Sequence, residues 1–513
     1  MKEINSVKNG KKQYLSEYDQ NMIRKFEDKV LDGVLEIKDN QELTNLDFIQ
    51  NLSVCKLKLE NCQNIQHQIF NDTITELYIT KCKFTSLLDI QINNLEVLSL
   101  QENRINDIQN VIVKMKCNPK FSKLLELDIS EQLNFTQNNQ NISKESLNIN
   151  TEQLKKQNSI INLVKLTLEG NGITDIDELS TFVNLKELNL SQNKNINIGS
   201  IKYLTQLTKL SLENCKLVNI QNISFLTNLT DLNLNENQVD ITPLSNLSQL
   251  NNLHLFGCGL ASVQLSPLQN LLQLVYLQLE ANEIYDISTL NKLINLKHLE
   301  LQCNNINDIS SIKNLENLTF LDISHCEIKY FSVLRKLINL EELYMCENRY
   351  FDISQIQYLV KLRKIDLCLC NIYDISPLRP LINLQYLDIS ENNIFDISPL
   401  AQLKNLTELQ LEYNMIANFS QLEHLSIFNT LFIDNQTTPT LQEELVYVKM
   451  KGIDECTTFL QNMSQMRKQM RSRVNLTKTR VSLCKENSTI IHLHLFDNIT
   501  SLFQQLDSIG QYQ

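Results

Sequence analysis

The chain has 513 residues and a formal net charge of −12, from 59 acidic against 47 basic side chains. That length suits two or three ordinary domains or one extended repeat array. The acidic balance argues against nucleic acid as the main partner, because phosphate binding needs a basic surface.

The first residues, MKEINSVKNGKKQYLSEYDQ, lack the apolar core of a signal peptide. No run of about 18 apolar residues follows anywhere. There are thirteen cysteines, an odd number, which suits a reducing compartment better than a disulfide framework. The expectation is a protein that is not secreted, has no transmembrane segment, and resides in the cytoplasm or nucleus. Residues 1–34 read as an N-terminal helical cap, with Tyr18, Met22, Phe26 and Val30 at spacings of four and Gly33 as the stop. The segment VLEIKDN, from Val34, then reads as a first, atypical strand.

Beyond it the chain repeats itself. LVKLTLEGNGITDI, from Leu163, gives the template LxxLxLxxNxIxDI, and the frame restarts at Leu185, Leu207, Leu229, Leu250, Leu274, Leu296, Leu318, Leu340, Leu362, Leu384 and Leu406. Weaker copies begin near Val54, Ile74, Leu95 and Leu124, with a shortened one at Leu422. In each copy LxL alternates with period two, so it predicts a short strand with its leucines inward. The ninth position turns the chain, and its buried side chain must bond neighbouring backbone, as Asn does well. The return leg starts at Thr242-Pro243, Ser266-Pro267, Ser376-Pro377 or Ser398-Pro399, which reads as a hydroxyl cap with Pro at the first position of a short helix or 3-10 turn. No single copy can bury its apolar face, so stacking is obligatory.

Two interruptions stand out. Residues 134–158, NFTQNNQNISKESLNINTEQLKKQN, are rich in Asn and Gln and read as a protruding low-complexity insertion. After residue 433 the period ends, and 434–513 read as a C-terminal helical region. There Phe459, Met463, Met466, Met470 and Val474 form a stripe at helical spacing. Residues 461–485 carry Arg467, Lys468, Arg471, Arg473, Lys478, Arg480 and Lys485 with no acidic residue. Such a helix is either a cap or a second binding element, through Arg467, Lys468, Arg471 and Arg473, for the chain's own acidic wall or for calmodulin. His492 and His494 have strand spacing and could ligate a metal only with other partners.

The cysteines mostly share one slot. Cys62, Cys82, Cys215, Cys258, Cys326 and Cys370 occupy the ninth position of their copies, where a small buried thiol fits. Cys368 is at the seventh, outward position, so Cys368 and Cys370 point different ways and cannot chelate together. Cys346 holds the same seventh position one copy earlier. Cys346 and Cys368 should therefore lie roughly 4.8 Å apart on adjacent strands. Two reduced surface thiols and a disulfide both remain open for them.

A period of 20–29 residues with this spacing resembles the leucine-rich-repeat family. The resemblance covers residues from about 35 to 432. It implies an α/β leucine-rich-repeat solenoid over 35–433, of about 16 repeats, with parallel strands on the concave face, short helices or 3-10 turns on the convex face, and helical caps at both ends. The copies NEIYDISTLNKLINLKHL and NNIFDISPLAQLKNLTEL look like those of the regulatory leucine-rich-repeat subunit of protein phosphatase 1 and of bacterial internalins. The first would imply an intracellular adaptor that grips a globular partner; the second would imply a secreted adhesin.

The third, fifth, seventh and eighth positions of each copy should form the inner wall. From Leu274 onward they supply Glu280, Glu300, Asp322, Glu342, Glu347, Asp366, Asp388, Glu391, Glu408 and Glu412, with Lys364 as the one fixed positive charge. Phe256, Tyr276, Phe320, Tyr344, Tyr386, Tyr413 and Phe428 interleave. Acidic rows studded with aromatics suit a protein partner with a basic surface, since aromatics anchor and charge steers. The chain contains no GxxxxGK[ST], HExxH or GxSxG motif. An open wall does little to separate carboxylate pKa values, which leaves acid–base catalysis a poor third reading. The expectation is a non-catalytic interaction scaffold without cofactor or metal. The alternative is a regulatory subunit, for example of a phosphatase, switched by its basic C-terminal helix.

Overall fold

The computed structural model describes residues 17–65, 72–85, 90, 92–105, 112, 115, 118–132, 162–349, 351–416, 421, 422, 425 and 430–432, together with the backbone of five short strands near the ends. The 134–158 insertion, Phe428, the Phe459–Val474 stripe and Arg467, Lys468, Arg471 and Arg473 lie outside the described residues. The chain divides into two compact units, Met1–His254 and Leu255–Gln513.

In the first unit the helix Glu17–Phe26 buries Met22, Ile23 and Phe26, and Phe26 stacks on Phe48 at 5.8 Å. This matches the expected N-terminal helical cap. Gly33, at φ +76°, then turns the chain into the strand Val34–Lys38, which pairs in parallel with Lys56–Glu60. Parallel pairing continues through Glu76–Thr80, Val97–Ser99, Glu126–Asp128, Lys165–Thr167, Glu187–Asn189, Lys209–Ser211, Asp231–Asn233 and Asn252–His254.

The second unit repeats the plan. Its parallel strands are Tyr276–Gln278, His298–Glu300, Phe320–Asp322, Glu342–Tyr344, Lys364–Asp366, Tyr386–Asp388, Glu408–Gln410 and Thr430–Phe432. Each strand is only three residues long because the next two positions bend the chain inward. The eighth position takes a left-handed conformation, at Ala281, Cys303, His325, Glu347, Leu369, Glu391 and Tyr413 alike. Non-glycine residues adopt that conformation at a small cost, which the buried ninth side chain offsets.

The ninth position explains the Asn preference in atomic detail. Asn392 donates from Nδ2 to the carbonyls of Leu367, Ile389 and Ser390, while its Oδ1 accepts from the amides of Cys370 and Ile372. One side chain thus satisfies backbone groups in two successive repeats, and leaving such groups bare inside a core costs about 1–3 kcal/mol each. Cysteine performs half of this task. The Sγ atoms of Cys215, Cys326 and Cys370 donate to the carbonyls of Leu190, Leu301 and Met345 in the preceding repeat. All six slot cysteines are buried.

Behind the strands the legs return as 3-10 turns, for example Ser288–Lys292, Ser310–Asn314 and Ser398–Gln402. Leu274, Leu277, Leu279, Ile284, Ile287, Leu290 and Leu293 are all buried in one repeat. Burying such a side chain stabilises by about 1.5–3 kcal/mol, so the stacked leucines dominate the stability of each unit.

Four sequence expectations change here. The cap of the return leg is the Asp of the DIS triplet rather than the hydroxyl. Asp240, Asp374 and Asp396 accept from the amides of Thr242, Ser376 and Ser398 at 2.8–2.9 Å, because a carboxylate two residues upstream reaches that amide in an Asx turn. Ser266-Pro267 lies inside the turn Ser262–Asn270 instead of opening it. The last repeat is not shortened. Thr430 pairs with Glu408 at the ordinary spacing, and buried Leu422 and Leu425 belong to the return leg. Finally, the described parts of the C-terminal region are strands rather than helix: Val446–Lys449, Val481–Glu486 and Ile490–His494. β-branched residues recur in these segments (VYVK, IIHLH), which favours a pleated backbone. Val446–Lys449 runs antiparallel to Thr430–Phe432 and so interrupts the run of parallel repeat strands.

Candidate functional site

The strand face of the second unit arranges its outward side chains in rows fixed by register. The third-position row runs Tyr276, His298, Phe320, Glu342, Lys364, Tyr386 and Glu408; the fifth-position row runs Gln278, Glu300, Asp322, Tyr344, Asp366, Asp388 and Gln410. Adjacent parallel strands lie about 4.8 Å apart, so neighbours within a row touch. Glu280 and Glu412 extend the face at the seventh position, as does Phe256, all partly exposed. Glu347, Glu391 and Tyr413 sit instead on the left-handed turn that follows the strand and are exposed at its rim, Tyr413 by 51%.

At one end of the third row the rings form a stack. Tyr276 lies on His298 at 4.4 Å between centroids, His298 on Phe320 at 3.8 Å, and Phe320 tilts against Tyr344 at 5.4 Å. Glu300 sits beneath this stack. Its Oε1 accepts from Tyr276 Oη at 2.6 Å and lies 2.7 Å from His298 Nε2, while Oε2 accepts from Gln278 at 3.2 Å. Burial opposes the charged form of Glu300, but the bonds from His298 and Tyr276 outweigh it and hold the carboxyl at about 2. His298 is a site residue that the reading of acidic and aromatic residues missed. Its place in the same third-position frame was the available signal.

Further along, Glu342 pairs with Lys364 Nζ at 3.0 Å and accepts from Tyr344 Oη at 3.1 Å. At the rim Glu347 lies 3.1 Å from His325. Among the described residues, no ion pair involves Asp322, Asp366 or Asp388. Asp366 and Asp388 face each other directly across adjacent strands, and Asp388 is only 7% exposed. Each of the three is steadied by an amide two residues on, from Ser324, Cys368 and Ser390 respectively, at 2.9 Å. Burial pushes the Asp366 carboxyl up to about 6, with the Asp388 and Asp322 charges adding to the rise. Burial likewise raises Asp322 and Asp388, and Glu280 is raised by burial and by Glu300 and Asp322. Removing carboxylates from water without a counter-cation disfavours their charge.

Of the two states left open for Cys346 and Cys368, the structure shows the disulfide, with the α-carbons 4.7 Å apart. Cys370 points into the core, bonded to the Met345 carbonyl at 3.2 Å. The CLC stretch is therefore split by the turn that follows the strand, where Leu369 is left-handed, with Cys368 outward and Cys370 inward.

Stacked parallel strands, an asparagine-and-cysteine ladder and 3-10 return legs define the leucine-rich-repeat class, and the chain is a leucine-rich repeat protein. The family described as Leucine Rich repeats (2 copies) matches residues 161–203 and 382–424. Among solved structures, an internalin (InlF) from Listeria monocytogenes is similar at 29% identity over 55% of this chain and 82% of its own, with a TM-score of 0.52. A leucine-rich-repeat protein of Leptospira interrogans is similar in fold, at 24% identity over 72% of this chain and 93% of its own, also with a TM-score of 0.52. No curated protein matches the chain. Leucine-rich-repeat proteins generally act in protein–protein interaction. Among the described residues, no helix is long and apolar enough to cross a membrane.

Proposed function

We propose that the chain is a non-catalytic intracellular interaction scaffold whose second-unit strand face grips a basic protein surface. The observation that carries this reading is the run of Asp322, Asp366 and Asp388 in one row, without ion-pair partners among the described residues, beside the Tyr276–His298–Phe320 stack. Close carboxylates across strands repel, and a lysine- or arginine-rich patch would relieve that repulsion on binding. The stacked rings supply the anchoring area that charge alone lacks. Glu300 and Glu342, already paired within the wall, position the aromatic rings more than they attract the partner.

The test uses the full chain immobilised against a cell extract, with captured proteins identified by mass spectrometry. Replacing Asp322, Asp366 and Asp388 together by Asn should remove the salt-sensitive set of captured proteins while leaving the fold intact by circular dichroism. If the triple variant captures the same set, and deletion of 437–513 removes it, the wall is not the site.

A further inference from the structure

The seventh-position disulfide has a chemical neighbour. Potential ligand atoms of Cys346, Cys368 and Asp366 all lie within 4.8 Å of one another, and all three residues are half-buried on the strand face. We propose that Cys346, Cys368 and Asp366 form a site for a thiophilic divalent cation such as Zn²⁺, open when the disulfide is reduced and closed when it is oxidised. This goes beyond the protein-binding reading and does not depend on it.

Three observations support the site. The scaffold is rigid on both sides: the Cys346 carbonyl accepts from the His325 amide at 2.8 Å, and the Cys368 carbonyl accepts from the Glu347 amide at 3.0 Å. The two α-carbons are thus held by the sheet, and reduction frees the sulfurs without freeing the strands. The carboxylate is also oriented, because Asp366 Oδ1 accepts from the Cys368 amide, leaning the group toward the sulfur on its own strand. The surrounding field favours a cation, since Asp388 and Asp322 flank the site in the same row. Two sulfurs and one oxygen select a borderline-soft ion over calcium or magnesium, which take oxygen ligands. Three protein ligands leave a fourth tetrahedral position to solvent.

The exchange balances simply. A dithiol or phosphine reductant supplies two electrons, the S–S bond breaks, and each sulfur takes one proton. Binding of the cation then forms two metal–sulfur bonds and one metal–oxygen bond and releases those two protons to water. The oxidised wall keeps its full acidic character, whereas the metal-loaded wall carries a cation in the middle of the acidic row.

The full chain should be reduced with a phosphine, freed of reductant without oxygen, and titrated with Cd²⁺ while thiolate-to-metal absorption is followed in the ultraviolet. Reduced wild type should take up a single cation more than the Cys346→Ser/Cys368→Ser variant, because the remaining thiols are common to both. Oxidised wild type should lack that extra equivalent, a comparison that needs no substitution and so survives any folding defect in the variant. Asp366→Asn should weaken the extra equivalent by at least about 10-fold, the lower range seen when metal-site partners are removed. Equal uptake by reduced wild type and the double serine variant would overturn the proposal. So would an extra equivalent that persists after oxidation, or one that Asp366→Asn leaves at full affinity.

Discussion

The two units share one backbone plan and differ in how far their charges are paired. On the strand face of the first unit, acids and bases alternate across neighbouring strands. Lys38 lies 3.2 Å from Glu36 and 2.9 Å from Glu60, Lys56 lies 2.6 Å from Glu76, Lys209 lies 3.1 Å from Glu187, and Lys165 lies 3.8 Å from Glu126. In the second unit the third-position row keeps one such pair, Glu342 with Lys364 at 3.0 Å, while the fifth-position row places Asp366 against Asp388. Parallel in-register pairing and inward leucines are the same in both, so the fold accepts either pattern. The clustering of carboxylates is therefore not a requirement of the repeat, and a partner that relieves it is the simplest physical reason for it.

The largest expected effect follows from that clustering. Asp366→Asn keeps the acceptor for the Cys368 amide and removes the charge, so it should stabilise the protein at pH 7 by about 3 kcal/mol, from a shift of 3.8 to about 6 at about 1.4 kcal/mol per unit. The folded state holds the proton more tightly than the unfolded chain, so stability falls as pH rises between those values. The gain from Asp366→Asn should be full above pH 6 and vanish below pH 4. Urea melts of the two proteins across that range check it. A variant less stable than wild type at pH 7 would mean that Asp366 is satisfied in place and needs no partner.

How much of this the sequence revealed depends on what each residue's position could encode. The repeat frame located the strands, the inward leucines, the N-terminal cap and the buried cysteine slot, because each rests on periodicity or on one local turn. The frame also placed Asp366 beside Asp388 and Cys346 beside Cys368, since register in a constant-length repeat is arithmetic. Periodicity could not show which acids are already neutralised. Glu300 and Asp322 look alike in the sequence, yet one is enclosed by Tyr276 and His298 and the other is not. Nor could spacing decide between thiols and a disulfide, or between Asp and Ser as the cap, because those outcomes depend on side-chain geometry. Of the C-terminal strands only the spacing of His492 and His494 was read, because a stripe of methionines suggested a helix and overshadowed the other short β-branched runs.

A middle-sized effect sharpens the contrast inside the second unit. Glu300→Gln removes a charged acceptor held by Tyr276 and His298, and should cost about 1.5–3 kcal/mol, the range of hydrogen bonds to charged groups. The sign is opposite to that at Asp366. The Glu300 carboxyl is held at about 2 against an ordinary 4.5, so its stabilisation is present above pH 4.5 and lost as pH falls toward 2. The difference between wild type and Glu300→Gln should accordingly close in acid. Two carboxylates three strands apart in the same row would then respond to pH in opposite directions, which a uniformly acidic wall could not do.

The smallest effect is expected in the first unit, and it bears most directly on the comparison. The Lys209–Glu187 pair is substantially exposed, at 56% and 34%, so water and salt screen it. A double-mutant cycle with Lys209→Gln and Glu187→Gln should give a coupling below about 1 kcal/mol, fading further at high ionic strength. The same cycle on Asp366→Asn and Asp388→Asn should give coupling of the opposite kind, because removing either charge relieves the other and the double variant gains less than the two single gains combined. If Lys209 and Glu187 instead couple by more than about 2 kcal/mol, charge pairing is structural in the first unit. The unpaired row of the second would then be a place where the fold lacks something it needs, rather than a surface kept ready for another molecule.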